Sequence, residues 1–281
     1  MSYVLDKKTF LTKFKTYFLR VFLFVILLLG FNFLSGIITI ICAGIYSTFL
    51  GEPIDFMFSE KHYFSVESVG QIFSIAALYF IFKSFDKNLF KLCKFNKLSK
   101  KEILDVIGLS LGLKLIIGCF SSVIFYSFFS HTGTEALDSI HKSLSMSFGA
   151  IISVVIVGPV FEEIVFRGLC VGFLKNKIGM VPTIFTQAIL FGIAHGNMEQ
   201  FITASILGLI LGLIFLYTNS IYSSIIFHII FNGSAAIISI NCDKSFIYTS
   251  VIVILFISST ILLFFSKSIC RKVRRFIKYN C

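Results

Sequence analysis

Long apolar runs, each close in length to a membrane-spanning helix, recur along the 281 residues of the chain. A helix of roughly 20 apolar residues crosses a bilayer core about 30 Å thick. Measured against that length, the pattern predicts about eight spans. Their predicted bounds are 20–48, 66–82, 104–129, 148–174, 180–196, 201–217, 221–240 and 246–265. We therefore expect an all-α fold, a polytopic transmembrane helical bundle.

The residue composition agrees with this fold class and excludes a soluble one. Hydrophobic residues make up 57% of the chain and charged residues 14%, against about 45–50% and about 25% in an ordinary soluble domain. The chain also contains 36 Phe, 19 Gly and only 3 Pro. This composition is typical of packed membrane helices, and it excludes collagen-like, coiled-coil and disordered chains.

The positions of the charges decide what the net charge of +11 means. Basic residues accumulate on the cytoplasmic side of membrane proteins, where they also contact anionic lipid headgroups. An even number of spans puts both termini on that side, together with most of the basic residues. We therefore expect membrane lipids, and no nucleic acid, as partners. Twenty of the 25 Lys and Arg lie in the stretches 7–20, 83–101, 175–177 and 267–278.

Several smaller patterns are interpreted as packing. The pairs Gly108–Gly112 and Gly208–Gly212 each place two small residues on one helix face, which lets a neighbouring helix come close. The seven Cys residues are scattered without a CxxC pair, and we expect them to be reduced and packed. The loop 84–101 alternates Lys with Phe and Leu, which predicts an amphipathic segment at the membrane surface.

Ionisable side chains stand where the pattern predicts membrane interior. Each costs about 2.5–3.5 kcal/mol at the centre of a span, so it needs a partner, a cavity or a function. Lys114 is expected to pair with a carboxylate such as Glu67 or to extend towards an interface. Three segments of the second half carry the other candidates: GPVFEEIVFRG, FGIAH and HIIFN. The remaining histidines, in predicted external loops and expected to be solvated, are His62, His131 and His141.

Helical spacing assigns roles within the fourth span. Glu163 and Arg167 are four residues apart, with the acid first, which is the favourable order for an ion pair on one face. Glu162 points about 100° away and lacks that partner, so it is the candidate general base. Pro159 removes a backbone hydrogen bond, and the kink that it predicts would open a pocket beside Glu162.

The seventh span places an imidazole and an amide on one face, because His228 and Asn232 are also four residues apart. Two such donors can stabilise an oxygen that acquires negative charge. Counted from the cytoplasmic ends of their helices, Glu162, His228 and His195 lie at depths of roughly 18, 12 and 22 Å. Tilt of the helices would let the three side chains converge.

The segments EEIVFR, FGIAH and HIIFN resemble the three motifs of the CPBP (CAAX protease and bacteriocin-processing, or Abi) intramembrane endopeptidases, which include the type II CAAX prenyl proteases. The resemblance covers residues 157–233, with the motifs in the expected order on successive spans. It implies that Glu162 and His195 activate a water, while His228 and Asn232 stabilise the oxyanion. The supporting residues are Glu163 and Arg167, which hold the site together, and Phe191, which packs to orient the helix of His195.

The resemblance also implies a function and a location. The expected activity is hydrolysis of peptide bonds in a membrane-associated or lipidated protein or peptide, within the cell membrane of a bacterium. The cavity is expected to open to the cytoplasmic side or laterally to lipid. Residues 1–145 would form the N-terminal transmembrane helices with their basic loop, and residues 146–281 the protease core with a C-terminal span and a basic tail.

Two other function classes and one cofactor remain open at this point. A proton-coupled transporter could use the buried Glu and His side chains as a relay. A catalytically inert scaffold could use them only as bonds between helices. The sequence favours a site without a cofactor, since no HExxH pair is present. Zinc stays an alternative, with Glu162, His195 and His228 as its ligands.

Overall fold

The computed structural model describes residues 7–58, 62–128 and 148–241. This part of the chain folds entirely into helices and connecting turns. The fourth long helix, α6, is continuous over 148–178 although its turns differ in type. The elements are α1 Lys7–Leu50, α2 Ile54–Met57, α3 Tyr63–Ser84, α4 Leu89–Leu92, α5 Lys100–Phe128, α6 148–178, α7 Met180–Ile193, α8 Met198–Thr218 and α9 Ile221–Asn241.

The all-α prediction is confirmed for the described residues, and the predicted spans fall on helices. Four segments are long and apolar enough to cross a membrane: Phe14–Leu50, Tyr63–Ser84, Phe148–Ile178 and Gln200–Thr218. Met180–Ile193 and Ile221–Ser234 are shorter apolar helices. The span predicted at 246–265 lies outside the described residues, as do His131 and His141.

Helix α6 departs from ideal α-helical geometry on both sides of the two glutamates. Two π-helical segments, Ser153–Val157 and Ile164–Cys170, flank the α-helical turn Gly158–Glu163. Pro159 stands at the start of that turn, where its ring would press against the carbonyl of Val155 in a regular α-helix. The sequence predicted a kink. The structure accommodates the proline with a wider π-helical turn before it, a distortion that is frequent at functional sites.

Hydrogen bonds join the N-terminal helices to the helices of the second half. Ser68 on α3 bonds Ser153 on α6 through their Oγ atoms at 2.6 Å. Ser110 on α5 donates to the carbonyl of Phe227 on α9 at 2.8 Å. Near the N-terminus, the Tyr17 hydroxyl on α1 forms a 2.6 Å hydrogen bond with the Thr186 hydroxyl on α7. The helices of the second half therefore pack against the N-terminal helices.

The basic loop between α3 and α5 packs into the bundle. Leu89 and Cys93 are buried, and a Cβ added to Gly168 on α6 would lie 2.3 Å from the Cys93 Sγ. Burial raises the pKa of the Cys93 thiol to about 12, so it stays protonated and unreactive at neutral pH. The loop is thus amphipathic: Leu89 and Cys93 pack on protein, whereas Phe85 and Phe90 stay exposed.

At Gly208 and Gly212, helix α8 packs closely against helix α7, as the spacing of the two glycines predicted. A Cβ at Gly208 would lie 3.1 Å from both the Cα of Ala188 and the Cδ1 of Phe191 on α7. A Cβ at Gly212 would lie 2.6 Å from Gln187 Nε2. The two helices approach so closely that α8 has no room for side chains at these positions.

Gly208→Val should therefore destabilise the protein, because the added methyl groups meet the backbone of α7, which cannot move aside. Overpacking of this kind costs about 1–3 kcal/mol. Gly30→Val is the matched control, since no atom lies within 4 Å of a Cβ at Gly30 on α1. The measurement is the fraction of monodisperse protein in detergent after heating. Equal loss in both variants would show that the α7–α8 contact does not limit stability.

Candidate active site

A fully buried ion pair lies at the centre of the site. Arg167 Nη1 donates to Glu163 Oε1 at 2.9 Å, and both side chains have 0% exposure. Arg167 Nη2 also donates to the carbonyl of Gly208 on α8 at 3.2 Å. The guanidinium carbon lies 4.6 Å from the ring centroid of Phe191 on α7. The ion pair predicted from the spacing is present, and it joins three helices.

His228 on α9 lies beside both glutamates. Its Nδ1 is 3.0 Å from Glu163 Oε1, the same oxygen that accepts from Arg167. Since the ion-paired carboxylate can only accept, Nδ1 carries the proton. The opposite nitrogen, Nε2, lies 3.7 Å from Glu162 Oε2. That separation exceeds a direct hydrogen bond, so the two groups are in close contact without one.

The surroundings of Glu162 agree with its expected lack of the Arg167 ion pair. Its nearest titratable neighbour is His228, and its side chain is 30% exposed whereas that of Glu163 is fully buried. No hydrogen bond or ion pair within the described part of the chain joins His195 to Glu162. Glu67 on α3 also lies close enough for its charge to interact with that of Glu162.

His195 stands in the turn that follows α7, beyond the end of the helix at Ile193. Its Nδ1 lies 2.8 Å from the backbone carbonyl of Phe191, so this nitrogen carries the proton and Nε2 is left as an acceptor. The Phe191 ring is edge-on to the rings of His195 and His228, with centroid distances of 4.8 and 5.9 Å. Phe191 therefore packs against both imidazoles.

Asn232 and Lys114 make contacts that the sequence did not specify. Asn232 Nδ2 donates to the carbonyl of Val154, in the first π-helical segment of α6, at 3.0 Å. One N–H of the amide is thus used between helices, and the second is left for a ligand. Lys114 Nζ lies 4.3 Å from the ring centroid of Phe231 on α9, a cation–π contact in place of the predicted pairing with Glu67.

Gln187 is a supporting residue that the sequence analysis missed. Its side chain is fully buried, and Nε2 donates to the carbonyl of Gly208 at 2.8 Å. The same carbonyl accepts from Arg167, so Gln187 and Arg167 share one anchor on α8. A signal existed in the spacing, because Gln187, Phe191 and His195 follow one another at intervals of four on one face.

The positions of Glu162, His195 and His228 test whether these three side chains could bind zinc together. Within the described residues, no three His, Cys, Asp or Glu side chains form a set that could hold a metal ion. Glu162 and His228 are adjacent, but Phe191 packs against both His228 and the third proposed ligand, His195. The three residues do not fit a zinc site in this arrangement.

The fold and the site define a class: an α-helical membrane protein that buries a Glu–Arg–His cluster in its second half, beside a partly exposed glutamate. Residues 144–234 match the family described as Type II CAAX prenyl endopeptidase Rce1-like. This match confirms the family resemblance that the three motifs carry.

One relative adds to this comparison. YdiL of Bacillus subtilis (strain 168), named as a candidate membrane peptidase, is 25% identical over 92 residues, which are 33% of this chain and 38% of that protein. The chain thus matches well under two thirds of the length of this relative. No solved structure matches the chain.

Arg167→Met should destabilise the protein strongly, because it leaves the Glu163 charge buried without its partner. Breaking a buried pair costs about 3–5 kcal/mol. The double variant Glu163→Gln/Arg167→Met should recover much of this loss, since it buries no uncompensated charge. Lys177→Met, at an exposed position on α6, is the control. Thermal unfolding in detergent measures all of them, and a double variant no more stable than Arg167→Met would contradict the interpretation.

Proposed function

We propose that the protein is an intramembrane endopeptidase that hydrolyses peptide bonds of a membrane-associated or lipidated protein or peptide. One observation carries the proposal: a partly exposed carboxylate, Glu162, lies 3.7 Å from an imidazole nitrogen whose ring is fixed by a buried ion pair. A partly exposed carboxylate beside an imidazole suits general acid–base chemistry. The family match over residues 144–234 supports the same activity.

In the proposed mechanism Glu162 takes a proton from a water, and the water oxygen attacks the carbonyl carbon of the peptide bond. His195 accepts a hydrogen bond from that water through its free Nε2. The second N–H of Asn232 donates to the oxyanion of the tetrahedral intermediate. His228 Nε2 can donate there too when its ring carries both protons. As the C–N bond breaks, Glu162 gives its proton to the leaving amine.

The supporting residues act through the catalytic ones. Glu163 fixes the orientation of the His228 ring, and Arg167 holds the Glu163 side chain in place. Phe191 limits the rotation of the two imidazoles by packing against both. These groups are already positioned before substrate binds, which is where most enzymatic electrostatic stabilisation originates.

The wider setting is proposed on the same grounds. About eight spans would place both termini in the cytoplasm of a bacterial cell. Residues 146–281 would form the protease core and residues 1–145 its helical surround, and the family match, which begins at residue 144, supports that boundary. The reaction would need no cofactor, because Glu162 itself accepts the proton.

Glu162→Gln should abolish cleavage of a peptide library by the protein in lipid vesicles, because an amide cannot accept the proton. His195→Ala should lower turnover by at least about 10²-fold. His62→Ala, at a histidine whose ring packs at a tilt against Phe56 outside the site, is the matched control. Mass spectrometry of the products reports cleavage, and melting temperatures report folding. Full activity in Glu162→Gln, or transport of peptide without cutting, would exclude the proposal.

Removal of metal provides an independent test of the cofactor. Because the reaction uses Glu162 as base and Asn232 as donor, dialysis against a chelator should leave turnover unchanged. Elemental analysis of the same active sample checks that zinc is below one equivalent per chain. Activity that is lost with one equivalent of zinc and returns with it would replace the proposed mechanism by a metal-dependent one.

A further inference from the structure

We infer that the basic loop between α3 and α5 positions His228 for the reaction, with Lys94 as the positioning residue. Lys94 has a left-handed backbone conformation, and its carbonyl accepts a hydrogen bond from the start of α9. This contact fixes the register of α9, which carries His228, against α6, which carries Glu162. The role of His228 in catalysis rests on the proposed function, whereas the fixed register does not.

Hydrogen bonds join the loop to the turn between α8 and α9 in both directions. The Ile221 N–H donates to the carbonyl of Lys94 at 3.0 Å. Asn96 Nδ2 donates to the carbonyl of Asn219 at 2.7 Å, and Ser220 Oγ donates back to the carbonyl of Asn96 at 2.5 Å. Lys94 Nζ also donates to the side chain of Asn219. The turn is thus attached to a segment 123 residues earlier in the chain.

The start of α9 depends on the loop for part of its capping. The first N–H groups of a helix have no partner within the helix, and the side chain of the residue just before the helix usually accepts from one of them. Ser220 stands at that position, yet its hydroxyl donates to the loop. The Lys94 carbonyl accepts from the first N–H, that of Ile221, in its place.

The backbone of Lys94 directs its carbonyl to this contact. Lys94 ends α4 with φ +57, a conformation that glycine usually supplies at the end of a helix. Its N–H donates to the carbonyl of Lys91 at 3.3 Å, and the N–H of Phe95 donates to the carbonyl of Phe90 at 3.2 Å. These two bonds form the Schellman pattern. They reverse the chain, so that the Lys94 carbonyl faces Ile221.

Packing of apolar side chains reinforces the attachment. The Phe95 ring is edge-on to the ring of Tyr222 on α9, with centroids 5.3 Å apart. Leu89 and Cys93 of the loop lie in one buried cluster with Ile221. We call this end of the bundle, which carries the loop, the basic side. Helix α9 cannot slide along its axis without separating these contacts.

His228 lies two turns after the start of α9, on the same face as Ile221. The spacing of seven residues corresponds to about 10 Å along the helix axis. The Nε2 atom of His228 lies 3.7 Å from Glu162 Oε2. One turn further, Asn232 donates to the carbonyl of Val154 on α6 at 3.0 Å. A shift at the start of the helix displaces both contacts, and misplacement of a catalytic group by about 1 Å can cost about 10²-fold in rate.

Two substitutions of Lys94 separate the role of its backbone from that of its side chain. Lys94→Gly and Lys94→Val both remove the amino group, but only glycine adopts a positive φ without strain. We expect Lys94→Val to lower kcat by about 10-fold or more, with KM unchanged. Lys94→Gly should retain most of the turnover. Cleavage of peptides in lipid vesicles measures both constants.

Asp86→Val is the matched control. Asp86 lies in the same loop and also has a positive φ, of 54, but it forms no hydrogen bond with α9 in the described ranges. Its N–H instead donates to the carbonyl of Lys83 at the end of α3. Valine therefore introduces the same backbone strain at both positions. Asp86→Val and Lys94→Val should lower the melting temperature alike, and only Lys94→Val should lower kcat.

Cross-linking reports the register of α9 without cleavage. A Cβ at Gly233 on α9 would lie 3.3 Å from Val155 Cγ1 on α6, so Val155→Cys/Gly233→Cys brings two thiols together. The background keeps the buried Cys93 and Cys170 and replaces the other five cysteines with serine. Under mild oxidation the new disulfide should form more slowly when Lys94→Val is added. Lys94→Gly should leave its rate unchanged.

The outcomes separate the inference from the proposed function. Unchanged kcat in Lys94→Val, equal loss in Lys94→Gly, or equally slow cross-linking in Asp86→Val would each overturn the inference while the activity stands. If the unsubstituted protein cleaves no peptide, the proposed function fails, and cross-linking alone decides whether the loop fixes the register. Should Lys94→Val not fold, Ser220→Ala replaces it in both assays. This variant removes the hydroxyl bonded to the loop, so unchanged turnover and cross-linking would contradict the inference.

Discussion

The structure of the second half depends on one constraint, the burial of the Glu163–Arg167 ion pair with no exposure of either side chain. Removing two charges from water is costly, and the cost is recovered only when further hydrogen bonds satisfy the remaining groups. Three other helices supply part of this compensation, through His228 on α9, the carbonyl of Gly208 on α8 and the ring of Phe191 on α7. Glu163 Oε2 and Arg167 Nε stay buried without a hydrogen-bond partner among the described residues. The pair therefore defines where these helices meet α6.

The same constraint gives two adjacent glutamates different properties. Glu163 is enclosed and accepts two hydrogen bonds on one oxygen, so the orientation of its side chain is fixed. Glu162 faces another side of the helix and is 30% exposed. His228 connects the two, because its protonated Nδ1 is held by Glu163 and its Nε2 is thereby directed to Glu162. A structural carboxylate thus determines the surroundings of a candidate catalytic one.

Features set by local geometry could be predicted from the sequence, and features set by tertiary packing could not. The Glu163–Arg167 pair follows from a spacing of four, and the approximate positions of the helices follow from apolar length. The approach of His228 to Glu162 joins positions 66 residues apart, and the sequence carries no measure of that distance. The π-helical turns were also missed, since Pro159 indicates a distortion without specifying its form. His195 was assigned to a helix that ends at Ile193, because an apolar run does not mark where its last turn ends.

Glu162, the proposed base, must contact water, whereas the Glu163–Arg167 ion pair must be shielded from it. These opposite requirements apply to adjacent residues of α6. The helix satisfies both because burial changes within one turn, from partly exposed at Glu162 to complete at Glu163. Packing on the basic side keeps the ion pair dry, and Gly168 is the position where Cys93 of the loop comes close enough to close that side.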